Sequence, residues 1–244
     1  MVRQALTYAI DKGAIIDGIL LGLGKPATGP FPPESWAYNP NVKQYEYSPE
    51  KAKGLLREAG WQDTNKDGIL DKDGVPFRFT ILTNQGNDER RKAAEIIQQN
   101  LEKIGVRVDI TIVEWQAFLH QFIDKRRFEA IILGWALGRE PDPYDIWHSS
   151  KTKEGEFNFI SYSNSEVDKL LLEGRRTCNQ EKRKEIYHRI HELIAEDQPY
   201  TFLYYPDALP IIHKRFKGIE PAPIGIFYNF IHWYVPKDKA QWYE

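Results

Sequence analysis

The hydrophobic pattern of residues 77 to 135 predicts an α/β fold, with a mixed, mostly parallel sheet flanked by helices. Three observations point to it. Phe77, Phe79 and Ile81 alternate with Arg78 and Thr80, and later Val106, Val108, Ile110 and Ile112 alternate with Arg107, Asp109 and Thr111. A period of two is that of a half-buried strand. Between these runs Ala93, Ile97, Leu101 and Ile104 fall on one helical stripe. A second helical segment, with Phe118, Leu119 and Phe122, leads to the apolar run Ala130, Ile131, Ile132 and Leu133. The order β-α-β-α-β is that of parallel strands joined by covering helices. Strands are therefore expected at 77–82, 106–113 and 129–135.

The flanks read as helices. Residues 2–21 form one or two, punctuated by Asp11 and Gly13. Pro26, Pro30, Pro32 and Pro33 then force irregular, extended chain, because proline fixes φ and lacks an N–H. Ser48 caps a helix that starts with Pro49, the residue best suited to a first helical position, and Gly60 stops it. Asn87 and Asp88 can cap the helix of the Ala93 stripe, and Gly105 ends it. Ser165 with Asp168 is a capping-box pattern ahead of Leu170 and Leu171. A further helix runs from about Glu181 to Glu196, with Ile186, Ile190, Leu193 and Ile194 inward and Pro199 past its end. Beyond it strands are expected at 201–205 and 209–213, followed by a tail rich in rings: Phe227, Tyr228, Phe230, Trp233, Tyr234, Trp242 and Tyr243.

Composition narrows the classes. The 244 residues are 41% hydrophobic and 28% charged, enough to bury a core. With a net charge of −2 and no block of Lys or Arg, there is no basic stripe for nucleic acid. No run approaches the length of apolar chain that a membrane span needs. Cys178 is the single cysteine, which excludes an internal disulfide and a thiolate-cluster metal site. Met1 leads straight into Val2-Arg3-Gln4-Ala5-Leu6, which reads as helix rather than as a leader. The expectation is a cytoplasmic protein or a piece whose leader lies upstream.

In open α/β sheets ligands bind outside the carboxyl ends of the strands. That rule selects Thr83-Asn84-Gln85-Gly86, Glu114-Trp115, and Gly134-Trp135-Ala136-Leu137-Gly138 running on to Asp142. Trp135 is the candidate stacking wall, Glu140 and Asp142 are candidates for pairing a cation or building a turn, and Asn84 and Trp115 follow from strand-end position. The alternative is a Trp folded back on the sheet edge beside an Asp-Pro turn.

Two metal readings arise. Asp63, Asn65, Asp67 and Asp71, with Gly68 at the sixth position, match a calcium loop, but its twelfth position is Gly74 where a bidentate Glu belongs; the alternative is a plain turn built from Asn, Asp and Gly. His188 and His191, three apart beside Glu192, have a spacing that can hold zinc, without the His-Glu-x-x-His pattern of metalloproteases. Nucleophile-elbow, phosphate-loop and dinucleotide signatures are lacking, and Gly22-x-Gly24 follows a helix. No cofactor is therefore expected beyond that calcium. A hydrolase using Glu114 and Glu140 is the competing reading, and a calcium-organised structural module the third.

The opening Val2-Arg3-Gln4-Ala5-Leu6-Thr7-Tyr8-Ala9-Ile10-Asp11-Lys12 resembles the start of the third domain in family 5 extracellular solute-binding proteins, the peptide and nickel ABC-importer class. Gly22-Leu23-Gly24-Lys25-Pro26-Ala27, Gly29-Pro30-Phe31-Pro32-Pro33, Ser48-Pro49-Glu50-Lys51-Ala52-Lys53 with Gly60-Trp61, and Gly134-Trp135 leading to Asp142-Pro143 continue the likeness in order. The resemblance implies the C-terminal lobe of a two-lobed, periplasmic-binding-protein-like (class II) fold. Residues 1–205 would form that solute-binding lobe, and residues 206–244 a tail returning to a first lobe, or docking on a second chain. It implies binding of oligopeptides, dipeptides or a related small solute without catalysis, delivery to an ABC permease, and a periplasmic or cell-surface lipoprotein setting. Peptide-binding members resemble one another in placing an Asp three residues after this Trp, where it holds the peptide α-ammonium. Here that residue is Gly138, and an extra residue separates Trp135 from Asp142-Pro143.

Overall fold

The parallel ladder predicted around residue 80 forms as one strand between two others. In the computed structural model, which describes residues 1–136, 138, 140–222 and 225–240, β4 (Arg78–Asn84) lies between β5 (Arg107–Val113) and β6 (Ala130–Ile131). β4 and β5 run parallel from Arg78 opposite Arg107 to Asn84 opposite Val113. β6 is also parallel, pairing only Ala130 and Ile131 with Ile81 and Leu82. The central strand is buried continuously from Ile81 to its end, whereas Thr111 and Ile112 on the edge strand are exposed. The strand expected over 129–135 is thus shortened to two residues. After the Ile132 N–H donates to the Leu82 carbonyl, at 3.0 Å, the chain leaves the sheet.

α4 (Asp88–Glu102) crosses from β4 to β5. Asn87 caps it by accepting from the Arg90 N–H at 2.9 Å, and Ala93, Ala94, Ile97 and Leu101 are buried in the main core. That core also takes Ala5, Tyr8 and Ala9 of α1 (Val2–Ala9), Ile15 of α2 (Lys12–Leu20), and Ala52 and Leu56 of α3 (Pro49–Glu58). The Asp11 carboxylate caps α2 at the Ala14 N–H, which explains the break at residue 10. The helix expected after β5 is a single turn, α5 (Trp115–Ala117), that widens into a π-helical turn, Phe118–Ile123, burying Phe118 and Ile123.

A second core holds Phe31, Trp147, Val167, Leu171, Tyr187, Ile190 and Ile194. It packs α6 (Tyr144–Trp147) and the pair α7 (Ser165–Arg176) and α8 (Gln180–Asp197). The cap of α7 differs from expectation. Asn164, not Ser165, accepts from the Glu166 and Val167 N–H groups. Asp168 instead accepts from the Ser149 N–H and hydroxyl, at 2.9 and 2.6 Å. A residue able to reach across the fold was worth more there than in a local box.

Two short antiparallel pairs complete this part: β1 (Gly24–Pro26) with β7 (Tyr204–Pro206), and β2 (Asp71–Lys72) with β3 (Val75–Pro76). The strand expected at 201–205 survives only at its end. The strand expected at 209–213 is absent, and Leu209 and Ile211 are exposed.

The chain divides into two compact units, Met1–Pro206 and Asp207–Glu244. Within the second, Asn229 is buried; it donates to the Gly218 carbonyl and accepts from the Trp233 indole N–H, both at 2.8 Å. Phe227 and Phe230 pack on Trp233, while outer faces of Phe227, Tyr228 and Ile231 stay exposed. Trp242 and Tyr243 lie outside the described residues.

Candidate functional site

Register places the three strand ends together. Asn84 is opposite Val113, the Gln85 N–H donates to the Val113 carbonyl at 2.7 Å, and Ile132 is bonded to Leu82. The turns after β5, β4 and β6 therefore leave one edge of the sheet side by side, as the strand-end rule requires. Leu137 and Arg139 of the third turn lie outside the described residues.

At the centre of this edge Asn84 is buried, 8% exposed. Its Nδ2 donates to the Gln85 carbonyl at 3.0 Å and its Oδ1 accepts from Arg90 Nη1 at 2.8 Å. Arg90, on the first turn of α4, was not singled out from the sequence; its neighbourhood is rich in charge, and nothing local marks it from Arg91. The structure separates them: Arg91 bonds Glu95 at 2.6 Å on the exposed side, while Arg90 turns across the strand ends. Its Nη2 lies 3.6 Å from where a Gly134 Cβ would stand. Burial lowers the Arg90 pKa, opposed in part by Tyr204 and Glu89.

Trp135 is partly buried. Phe159 stacks on its ring at 5.9 Å and Phe157 meets it edge-on at 5.3 Å. One face of the indole is therefore occupied by protein, the arrangement of the folded-back alternative. Trp115 is 37% exposed beside Phe118. Both acids of the third turn are held by arginines. Glu140 pairs with Arg183, whose pKa that carboxylate raises. Asp142 accepts from Arg175 Nε at 2.6 Å and from the Tyr144 N–H at 3.1 Å, and the Arg175 guanidinium lies 3.9 Å over the Tyr144 ring. Asp142 is thus a turn residue. Gly138 is exposed. Glu114 caps α5 through the Ala117 N–H at 2.9 Å, and backbone N–H groups of Gln116 and Ala117 hold its carboxyl below the usual range.

Hydrogen bonding describes the residues of both metal readings. In the loop of Asp63, Asn65, Asp67 and Asp71, Asp63 accepts from the Asp67 and Gly68 N–H groups, Asn65 from Asp67, and Asp67 from Ile69. Asp71 is buried and accepts from the Thr64 N–H and hydroxyl at 2.8 Å. The oxygens brace the turn from within. His191 is fully buried, accepting the Asn39 N–H on Nδ1 at 3.1 Å and facing Thr28 Oγ1 with Nε2 at 3.3 Å. Desolvation pushes it down to about 4. Gly29 passes so close that a Cβ there would lie 2.3 Å from its ring. The histidine is a neutral core residue. Among the described residues no group of three or more His, Cys, Asp or Glu is placed to hold a metal ion. Nor is any helix among them long and apolar enough to cross a membrane.

Comparison with known proteins follows this geometry. A family model described as bacterial extracellular solute-binding proteins, family 5, middle region, matches residues 1–158, which include all three strands. The oligopeptide-binding protein AppA of Bacillus subtilis is 44% identical over 239 residues, 97% of this chain and 44% of the relative. The AppA structure in complex with a nonapeptide superimposes with a TM-score of 0.84 at 43% identity, covering 97% of this chain and 47% of that one. The structure of NikZ from Campylobacter jejuni in complex with Ni(L-His) gives 0.81 at 31% identity, covering 95% and 48%. The chain spans less than half the length of these relatives.

Proposed function

Because the chain belongs to the bacterial extracellular solute-binding proteins of family 5, we propose that it is the C-terminal solute-binding lobe of the substrate-binding component of an ABC importer. Its solutes are oligopeptides, dipeptides or a related small solute, and it binds them without catalysis outside the cytoplasm. One observation supports this reading: three parallel strands end at one edge, where Arg90 bonds Asn84 and lies beside Gly134. In the intact receptor the second lobe closes over this edge by hinge motion, and the permease reads the closed form.

Half of a clamp makes half of the contacts, so the chain alone binds weakly. Titration with short peptides, followed by chemical shifts of backbone amides, tests the reading. Shifts clustering at residues 84–90, 114–115 and 134–136 are expected, with millimolar affinity and no cleavage of the peptide. Shifts scattered over α7 and α8, or peptide hydrolysis, would remove its basis.

A further inference from the structure

Arg90 reaches the strand ends with most of its hydrogen-bonding capacity unused. A guanidinium carries five N–H donors in a rigid fork. Here one goes to Asn84 Oδ1, and no other acceptor is bonded to it among the described residues. No carboxylate of those residues pairs with it either, although arginines 91, 175 and 183 pair with Asp88, Glu95, Asp142 and Glu140. None of its nitrogens is both sealed from solvent and unbonded, so the free donors point where a solute can reach them. Gly134 places no side chain against the guanidinium: a Cβ there would stand 3.6 Å from Nη2.

The acids nearby are engaged elsewhere. Glu140 and Asp142 are neutralised by Arg183 and Arg175, and Glu114 is turned to the N–H groups of its own helix. A solute amine brought to this edge therefore meets no unpaired carboxylate from the third turn, while a solute carboxylate meets a fork that matches it in shape and charge. We infer that, within the solute-binding reading on which this rests, Arg90 is the anchor for the anionic end of the solute, and that this wall selects by a carboxylate rather than by a free amino group. Asn84 is a positioning residue, holding one side of the fork so that the other faces out.

Three probes separate the possibilities: penta-alanine with both termini free, its N-acetyl form, and its C-terminal amide. With the unmodified chain, acetylation is expected to change Kd by less than threefold and amidation to weaken binding at least tenfold. The Arg90 Nε–H resonance should move with the free acid and stay put with the amide. In Arg90→Gln the acid and amide should bind alike; Arg90→Lys keeps the charge without the fork and should retain a two- to threefold preference. Should Arg90→Gln fail to fold, the Arg90 resonance and the lysine variant still decide. Equal binding of acid and amide to the unmodified chain, or a tenfold loss on acetylation alone, overturns the anchor while leaving the solute-binding lobe intact. Absence of binding by all three probes removes both.

Discussion

Two turns of this chain carry the residue types from which ligand sites are made, and they use them in opposite ways. In the loop from Asp63 to Asp71 every acidic side chain and Asn65 accept hydrogen bonds from the loop itself. At the strand ends Asn84 holds one side of the Arg90 guanidinium and the rest of it stays open. The difference is topological. A hairpin such as β2–β3 brings together only residues close in sequence, so its polar groups find their partners locally. A parallel sheet brings together turns about thirty and fifty residues apart, and groups gathered that way are not all satisfied by their neighbours. Residue type alone did not tell the two apart; the separation of the segments brought together did.

The comparison depends first on the strand-end wall being backed by packed core. Phe118 lies fully buried beneath it with Leu82, Ile123 and Phe159. Phe118→Ala should cost about 3–5 kcal/mol of stability, read from urea denaturation. A loss under about 1 kcal/mol would mean that the wall has no such support.

The next effect sharpens the contrast by asking which charges matter to folding. His191 is held near 4 in the folded chain against 6.5 for the free side chain, by burial and then by His188. The unfolded chain takes up the proton first, so stability is full above about pH 6.5 and falls as pH drops toward 4. The loss is roughly 3 kcal/mol over that window. Urea midpoints at pH 7.5 and 4.5 measure it, and His191→Gln should flatten the slope. A slope unchanged by that substitution would locate the proton uptake elsewhere.

For the hairpin, Asp71→Ala leaves the Thr64 N–H and hydroxyl without their acceptor and should cost about 1–3 kcal/mol. Calcium and EDTA should give the same melting temperature, because the loop oxygens already serve N–H donors. A melting temperature that rises with calcium would reinstate the cation loop. The smallest effect belongs to the third turn. Glu140→Gln breaks an exposed pair with Arg183 and should change stability by less than about 1 kcal/mol, with peptide binding unaltered. Loss of binding on that substitution would return Glu140 to the solute side of the comparison.

Much of this was legible because it is local or periodic. The alternation around Phe79 and Val108, the stripe from Ala93 to Ile104 and the caps at Ser48 and Asn87 are short-range signals, and each produced its element. Strand-end position singled out Asn84, which the register sets opposite Val113. What stayed hidden depends on distance in three dimensions. Asp168 resembled half of a capping box until Ser149 came within reach. Arg90 and Arg91 are adjacent and chemically identical, and only the helix face each occupies divides a salt-bridged surface residue from one facing the strand ends. The apolar run at 130–133 read as a long strand, yet apolar character reports burial and not pairing. The strand expected at 209–213 failed for the complementary reason: alternation supplies a strand with a face but not with a partner.

The brevity of β6 has a consequence for how such a lobe changes over time. With two residues in the ladder and one further bond from Ile132, the segment beyond is tied to α7 and α8 by exposed ion pairs rather than by the sheet. Insertions, deletions and charge reversals between Gly134 and Asp142 can therefore accumulate without unzipping the scaffold, because β4 and β5 keep their full ladder whatever that segment becomes.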